Sequence, residues 1–364
     1  MRECTRVHFT CRRRISIASR QEVAKLAGVS EATVSRVLNN VGPLKEETKE
    51  RVLAAARQLG YTPSSLARSF ARQRSGNLGV VMPYLPKARL FSAYYFSEIL
   101  SGIGSKAREE GNDLLMLFRD PAEVMDYSGL FRMRKIDACI VLGAKEDPAE
   151  VAALRNLKEE GHSFCLINQH FEGEDFPEVD ADHIDGSYQA VIHLLEQGFR
   201  KIAFLNGPEV YSNSRDRLTG YTRALAAKGL LPEPSLQFRG NFSRTSGLAA
   251  AREVVANLGQ IDAVFAANDR MAIGLQQGLR ELGIPGAQMP AIIGYDDSEA
   301  AELTTPSLSS VRVPFFKLGE LAAFKVLEMT AVRDTETSSR ATRIQLPTEL
   351  IVRASSTFMI PKED

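Results

Sequence analysis

The 364-residue sequence contains no tryptophan, only four cysteines and five histidines. Cys4, Cys11, Cys139 and Cys165 form no Cys-x-x-Cys pair, the spacing on which small zinc sites usually rest. Cys139 and Cys165 fall inside apolar runs, where a thiol acts as a small buried hydrophobe. The grouping Cys4, His8, Cys11 reads as part of a tail rather than as a metal centre. The histidines are scattered, and His193 sits among apolar neighbours on a helical stretch, a structural setting. Gly-x-Ser-x-Gly, the phosphate-binding P-loop and any His/carboxylate metal spacing are all missing. The chain is therefore expected not to be an enzyme and to need no cofactor. Runs of 18 apolar residues are also missing, so neither a transmembrane helix nor a membrane partner is expected. Arg12, Arg13 and Arg14 lead into Ser16, Ser19 and Arg20 rather than into an apolar segment, which argues against a secretory signal and for the cytoplasm.

What is present is an ordinary globular balance, 44% hydrophobic and 25% charged, with a net charge of zero. That zero hides an asymmetry. Residues 1–76 hold 15 Lys and Arg against 6 Asp and Glu, leaving 30 against 39 for the remainder. A basic segment joined to an acidic body is the electrostatic footprint of a nucleic-acid-binding headpiece, although a solvated basic face has the same signature.

Residues 1–18 show no periodicity and read as a disordered basic tail. Three short helices are expected in 19–62: near Gln21–Leu26, Glu31–Leu38 and Glu46–Leu59. Ser19 and Glu22 match a capping box at the first, Ser30 an N-cap at the second, and Gly60 a C-terminal cap at the third. Val23, Leu26, Val34, Val37, Leu38, Val52, Ala55, Ala56 and Leu59 recur at helical spacing as a small core. Two helices joined by Ala27-Gly28-Val29-Ser30 form a helix-turn-helix pattern, whose second helix enters the major groove of double-stranded DNA. Ser30 and Thr33 are placed to meet phosphates. Glu31 and Ala32 point at bases, Arg36 pairs with guanine geometry, and Ser35 and Asn39 complete the reading helix. An ordinary helical hairpin with polar outer residues is the competing reading. Residues 63–76 form a basic linker with a short helical stretch that includes Ser64, Arg68 and Phe70.

From Leu78 the pattern changes. Apolar strand-like runs alternate with amphipathic helical stretches, which predicts an α/β fold with parallel sheets and helices on both faces. About 275 residues exceed one doubly wound domain, so two similar subdomains are expected within a body spanning 77–353, followed by a tail at 354–364.

The segment Glu22-Val-Ala-Lys-Leu-Ala-Gly-Val-Ser-Glu-Ala-Thr-Val-Ser-Arg-Val-Leu-Asn39-Asn40 resembles the headpiece signature of the lactose/galactose repressor family. Ala67-Arg68-Ser69, Tyr95 to Ile103, Arg215 to Tyr221, Phe265 to Asp269 and Gly294 to Asp297 resemble further family motifs in the same order. The resemblance covers about residues 19–353. It implies a helix-turn-helix headpiece, a hinge helix and a periplasmic-binding-protein-like body with a doubly wound sheet in each half. The expected subdomains are 77–180 plus 310–335, and 181–309 plus 336–353. It also implies a homodimer on a pseudo-palindromic operator, controlled by a small effector, most simply a sugar. Phe70 stands where the family usually carries a Leu, and the stretch from Tyr84 to Tyr94 is longer than usual.

Ligands of such sheets bind beyond the carboxyl ends of the strands. Asn168, Asn268 and Asp296 fall there, and Arg217 opens a helix after a strand. With Tyr95, or the aromatics Tyr84 and Phe91, these residues suit a polyol, whose hydroxyls both donate and accept. By resemblance, Arg217, Asn268 and Asp296 match effector-holding positions. Helix capping is the competing role for Asp296 and Asp269, and Asp297 reads as structural. Two alternatives remain at this stage: the same regulator controlled by a phosphoprotein corepressor, and a sugar-binding uptake protein.

Overall fold

The computed structural model describes residues 18–38, 42–61, 74–84, 93–120, 123–332 and 343–357. Asn39, Ser64, Arg68, Phe70 and Phe91 lie outside these residues. The chain divides into two compact units, 1–75 and 76–364.

In the first unit, helices run Arg20–Ala27, Glu31–Leu38 and Glu46–Gln58. The sequence explains each end. Ser19 Oγ accepts from the Glu22 backbone N–H at 3.2 Å, and the Glu22 carboxylate accepts from the Ser19 N–H at 2.6 Å. Those two bonds are the reciprocal capping box. At the other end Gly28 adopts φ +65°, so that Val29 N–H reaches Ala24 O at 3.0 Å and Gly28 N–H reaches Lys25 O at 3.4 Å. This left-handed closure turns the chain within two residues and is open to glycine without strain. Ser30 Oγ then accepts from Thr33 N–H at 3.2 Å and starts the next helix.

Val23, Ala24, Ala27, Val34, Val37, Val52, Ala55 and Ala56 are buried together, with Leu38 and Leu59 half-buried beside them. Leu26 departs from expectation, being 47% exposed. The inward face of its helix is set by Val23, Ala24 and Ala27, and Leu26 is rotated about 100° from Ala27, off that face.

The second unit contains two six-stranded sheets. The first comprises β1 (Asn77–Pro83), β2 (Asp113–Arg119), β3 (Ala138–Leu142), β4 (Phe164–Ile167), β5 (Glu178–Ala181) and β11 (Arg343–Leu346), in the order β11-β5-β4-β3-β1-β2. All its pairings are parallel. The second comprises β6 (Ile202–Asn206), β7 (Gln237–Arg239), β8 (Ala263–Ala266), β9 (Ala291–Asp296), β10 (Ser309–Arg312) and β12 (Glu349–Ile351), in the order β12-β10-β9-β8-β6-β7. Only its β10–β12 pair is antiparallel. Every residue of β3 and of β6 is buried, as expected for strands covered on both faces.

The chain crosses between the halves after Ala181, after Arg312 and between Leu346 and Glu349. The boundaries expected from sequence are corrected at two places. Residues 310–312 belong to the second half, because β10 pairs with β9, and 343–346 belong to the first, because β11 pairs with β5. The helix Phe315–Val332 returns to the first half and packs on the helix Tyr94–Glu109. The contact is close: a β-carbon at Gly102 would lie 2.0 Å from Phe316 O, and one at Gly319 would lie 2.2 Å from Ile99 O. The assigned C-terminal tail also begins too early. Ser355 Oγ donates to Ile292 O and accepts from Ser309 N–H at 2.8 Å, so the body continues past 353.

Candidate functional site

Parallel sheets aim the carboxyl ends of their strands at a common crevice, and backbone strain collects there. Among the described residues, five non-glycine positions have positive φ. Three of them, Asn168 (φ 56°), Asp296 (φ 108°) and Asp297 (φ 53°), sit at the ends of β4 and β9. Such conformations persist where surrounding structure enforces them, commonly around ligand sites.

A relay of polar groups joins the two halves at this point. Tyr295, buried in β9, lies with its hydroxyl 3.1 Å from His183 Nδ1. His183 Nε2 lies 2.8 Å from Asn168 Oδ1. Burial, followed by the nearby Arg217 charge, holds the His183 pKa down to about 3, so the ring is neutral. Nε2–H therefore donates to Asn168, and Nδ1 accepts from Tyr295 O–H. The Arg217 guanidinium stacks on the Tyr295 ring, 4.1 Å from its centroid, and donates to Ala267 O at 2.8 Å. Phe242 flanks the same guanidinium at 5.9 Å.

This bonding leaves Asn168 Nδ2, Arg217 Nε and Asn213 Oδ1 buried without hydrogen-bond partners. Asn168 belongs to the first half; Arg217 and Asn213 share one face of the helix Ser212–Ala227, four residues apart. Asp296 is buried beside them, its carboxyl raised well above the ordinary carboxylate range by burial and then by the Asp269 charge. Unmet donors and acceptors in a dry setting cost about 1–3 kcal/mol each, and a ligand carrying matching groups recovers that cost. The collected chemistry is two donors, an amide acceptor and a carboxyl group.

Of the residues expected from sequence, Asn168, Arg217 and Asp296 meet here. Tyr95 lies next to Asn168, and its ring packs edge-on against Phe315 with centroids 5.2 Å apart. Asn268 has another task. Its Oδ1 accepts from Met271 N–H at 2.9 Å and its Nδ2 donates to Phe242 O at 3.1 Å, so it caps the helix Asp269–Glu281 and holds Phe242. One amide hydrogen remains for a ligand. Asp269 is engaged by Ser298 N–H (2.7 Å), Ser298 Oγ (2.8 Å) and Ser310 Oγ (2.6 Å). Asp297 pairs with Arg312 and Arg353, and His193 binds Ser356 Oγ at 3.0 Å; both are structural. Tyr84 is half exposed and packs edge-on against Phe118.

Sequence reasoning missed Asn213, His183, Tyr295 and Phe242. Asn213 carried a readable signal, its i, i+4 spacing with Arg217. The others depend on contacts between distant segments. A rim contact was also unforeseen: Glu146 pairs with Arg215, and its N–H donates to Val210 O at 2.9 Å, joining the halves outside the polar relay.

In the first unit, Ser30, Glu31, Ala32 and Arg36 are exposed and Thr33 and Ser35 half-buried, while Val34 and Val37 point inward. One face of the helix Glu31–Leu38 is thus polar and free to meet a groove. Glu31 is paired with Arg20 at 3.0 Å.

A helix-turn-helix unit followed by a two-sheet body with a polar interlobe site defines a ligand-regulated DNA-binding protein. Residues 20–64 match the model of bacterial regulatory proteins of the lacI family, and 191–356 match a periplasmic binding protein-like domain. The transcriptional regulator CelR of Thermobifida fusca is 32% identical over 337 residues, covering 92% of this chain and 96% of the relative. The regulator AscG of Escherichia coli is 34% identical over 310 residues, covering 80% and 86%. A solved complex of CelR with cellobiose superposes with a TM-score of 0.70 at 30% identity over 93% of this chain and 99% of that one. The lac repressor dimer on its operator superposes with a TM-score of 0.82 over 94% and 100% at 24% identity, a likeness of fold. The chain belongs to the lacI family of bacterial regulators and is a DNA-binding transcription regulator. Its relatives are regulators rather than enzymes. Among the described residues no helix is long and apolar enough to cross a membrane.

Proposed function

We propose that the protein is a cytoplasmic repressor that binds a pseudo-palindromic operator as a homodimer and is released or recruited by a sugar or sugar derivative held between the two halves of its body. The observation that carries this reading is the set of unpartnered buried groups, Asn168 Nδ2, Arg217 Nε and Asn213 Oδ1, beside the Asp296 carboxyl. A polyol presents hydroxyls that satisfy donors and acceptors together. Tyr95 supplies an aromatic wall and Asn268 its remaining hydrogen. The CelR complex with cellobiose favours a saccharide over a protein corepressor.

In the headpiece, Ser30 and Thr33 are assigned to phosphates, and Glu31, Ala32, Ser35, Arg36 and Asn39 to the base-facing surface. Ser64, Arg68 and Phe70 are assigned to a hinge at the operator's centre, with Phe70 wedged into the minor groove. The test is a dye-labelled operator, recovered by genomic selection and titrated with protein in the presence of a panel of mono- and disaccharides. One or more sugars should change operator affinity, and operator affinity itself should fall steeply with salt. Sugar-independent affinity across the panel would refute the effector assignment.

A further inference from the structure

We propose that His170, Asp180 and Asp216 form a binding site for one divalent transition-metal ion, which ties the two halves of the body together. His170 Nδ1 lies 3.2 Å from Asp180 Oδ2 and 3.6 Å from Asp216 Oδ2. One ligand atom from each residue falls within 4.8 Å of the others. Zinc-like ions bind imidazole nitrogen and carboxylate oxygen at about 2.0–2.2 Å, which places neighbouring ligand atoms roughly 3.0–3.5 Å apart. The two imidazole–carboxylate edges are close to that range, and the carboxylate–carboxylate edge lies within 4.8 Å. One imidazole and two carboxylates suit Zn²⁺, Mn²⁺ or Co²⁺, whereas Mg²⁺ and Ca²⁺ favour oxygen alone.

The ligands come from both halves. His170 follows β4 and Asp180 lies in β5, whereas Asp216 lies on the helix Ser212–Ala227 of the second half. Two of the three are anchored by bonds to other residues, His170 through its backbone. The His170 N–H donates to Ser212 Oγ at 3.0 Å, and Asp180 Oδ1 accepts from Ala181 N–H at 2.8 Å. Asp180 is fully buried and Asp216 and His170 partly so, which raises the cost of bringing negative charge together there. Burial, and then the Asp180 charge, pushes the Asp216 carboxyl up to about 6. The neighbouring cations are already engaged, Arg343 with Glu178 and Arg215 with Glu146. His183 approaches the inner oxygen of Asp180 at 3.5 Å as a neutral ring.

Without metal, the position between the three residues suits a proton. The hydrogen bond to Asp180 raises the His170 pKa, and Nδ1–H then lies between two carboxylates. A divalent ion takes the place of that proton, and of any proton on Asp216, and releases them to solvent. Ligand atoms coordinate only when deprotonated, so metal binding and proton binding compete at this position.

The experiment uses the full-length protein carrying Cys4→Ser, His8→Ala and Cys11→Ser, so that the N-terminal grouping cannot chelate. Co²⁺ and Zn²⁺ are titrated by calorimetry, visible absorption and thermal melting. The expected result is one ion per chain, a raised Tm and cobalt bands without thiolate charge transfer. Asp216→Asn and, separately, His170→Gln should each weaken binding about tenfold or more, at least the cost of losing a supporting partner of a metal ligand. Circular dichroism of both variants checks that they fold. Failure to bind one ion per chain, or unchanged affinity in a folded Asp216→Asn or His170→Gln variant, would overturn the proposal. Neither outcome bears on operator binding or on the sugar site.

Discussion

The Arg217 guanidinium stacks on the Tyr295 ring at 4.1 Å while the Tyr295 hydroxyl binds His183, so one aromatic side chain positions the site's main cation and passes its orientation to Asn168 across the cleft. An effector bound at this point would meet the same few side chains that join the two halves. A ligand that satisfies Arg217, Asn213 and Asn168 contacts both lobes and favours one angle between them. Coupling of this kind is typically worth about 1–3 kcal/mol.

Arg217→Ala and Asp296→Asn should leave operator affinity in the absence of sugar unchanged and weaken the sugar response about tenfold to a hundredfold, corresponding to about 1–3 kcal/mol of lost hydrogen bonding. Titration of labelled operator at increasing sugar concentrations measures both quantities. A variant that responds at the wild-type sugar concentration would show that the substituted residue does not hold the effector.

Asn213→Ala separates Asn213 from its neighbours. It removes the unpartnered Oδ1 and the 3.4 Å bond from Nδ2 to Asn168 O. Sugar affinity should drop several-fold with little change in Tm, read by calorimetry and melting. Equal sugar affinity would place Asn213 outside the binding surface.

Glu146 and Arg215 are each about one-third exposed, so their ion pair is discounted for solvent, to about 0.2–1 kcal/mol. Glu146→Ala should change sugar affinity by no more than about fivefold, with the effect shrinking at high salt. A larger, salt-independent change would mean that the pair closes the cleft by geometry rather than by charge.

His183 has a folded pKa of about 3 against an ordinary 6.5, so the unfolded chain takes up a proton that the folded chain refuses. Stability from this ring is complete above about 6.5 and is lost as pH falls from there towards about 3. Glu178, held up to about 7, and Asp216 and Asp269, held up to about 6, work in the opposite sense, because folding favours their protonated forms. The wild-type curve mixes these contributions. The difference between wild type and His183→Asn isolates one: denaturant melts of the two should differ most above pH 6.5 and converge in acid. A constant difference across pH would show that His183 is not buried neutral.

Gly28→Ala forces a β-carbon into φ +65° at the turn between the first two helices. Nothing lies within 4 Å of that carbon, so the cost is backbone strain alone, about 1–2 kcal/mol. Operator affinity should fall while sugar affinity is untouched. Loss of both would indicate that the turn affects the whole chain.

Features with local causes were legible in the residues alone. Ser19, Glu22, Gly28 and Ser30 specify helix ends through bonds spanning three to five residues, and alternating apolar runs mark strands that lie covered on both faces. Strand-end position, together with the family resemblance, named Asn168, Arg217 and Asp296 as candidates, and these three lie together in the fold. Features that depend on distant partners became visible only once the chain was folded. His183 becomes a site residue only because Tyr295 arrives from 112 positions away. Asn268 keeps only one free amide hydrogen because Phe242 O, 26 positions away, accepts the other. Strands β10 and β11 are each four residues long and polar in part, so their composition does not say which sheet they join; the neighbours β9 and β5 do. Leu26 had the right spacing for a core, but it lies off the face that Val23, Ala24 and Ala27 turn inward. Local chemistry dictates where elements begin and end, whereas packing and pairing between remote segments select which polar groups are left without partners, and those groups make the site.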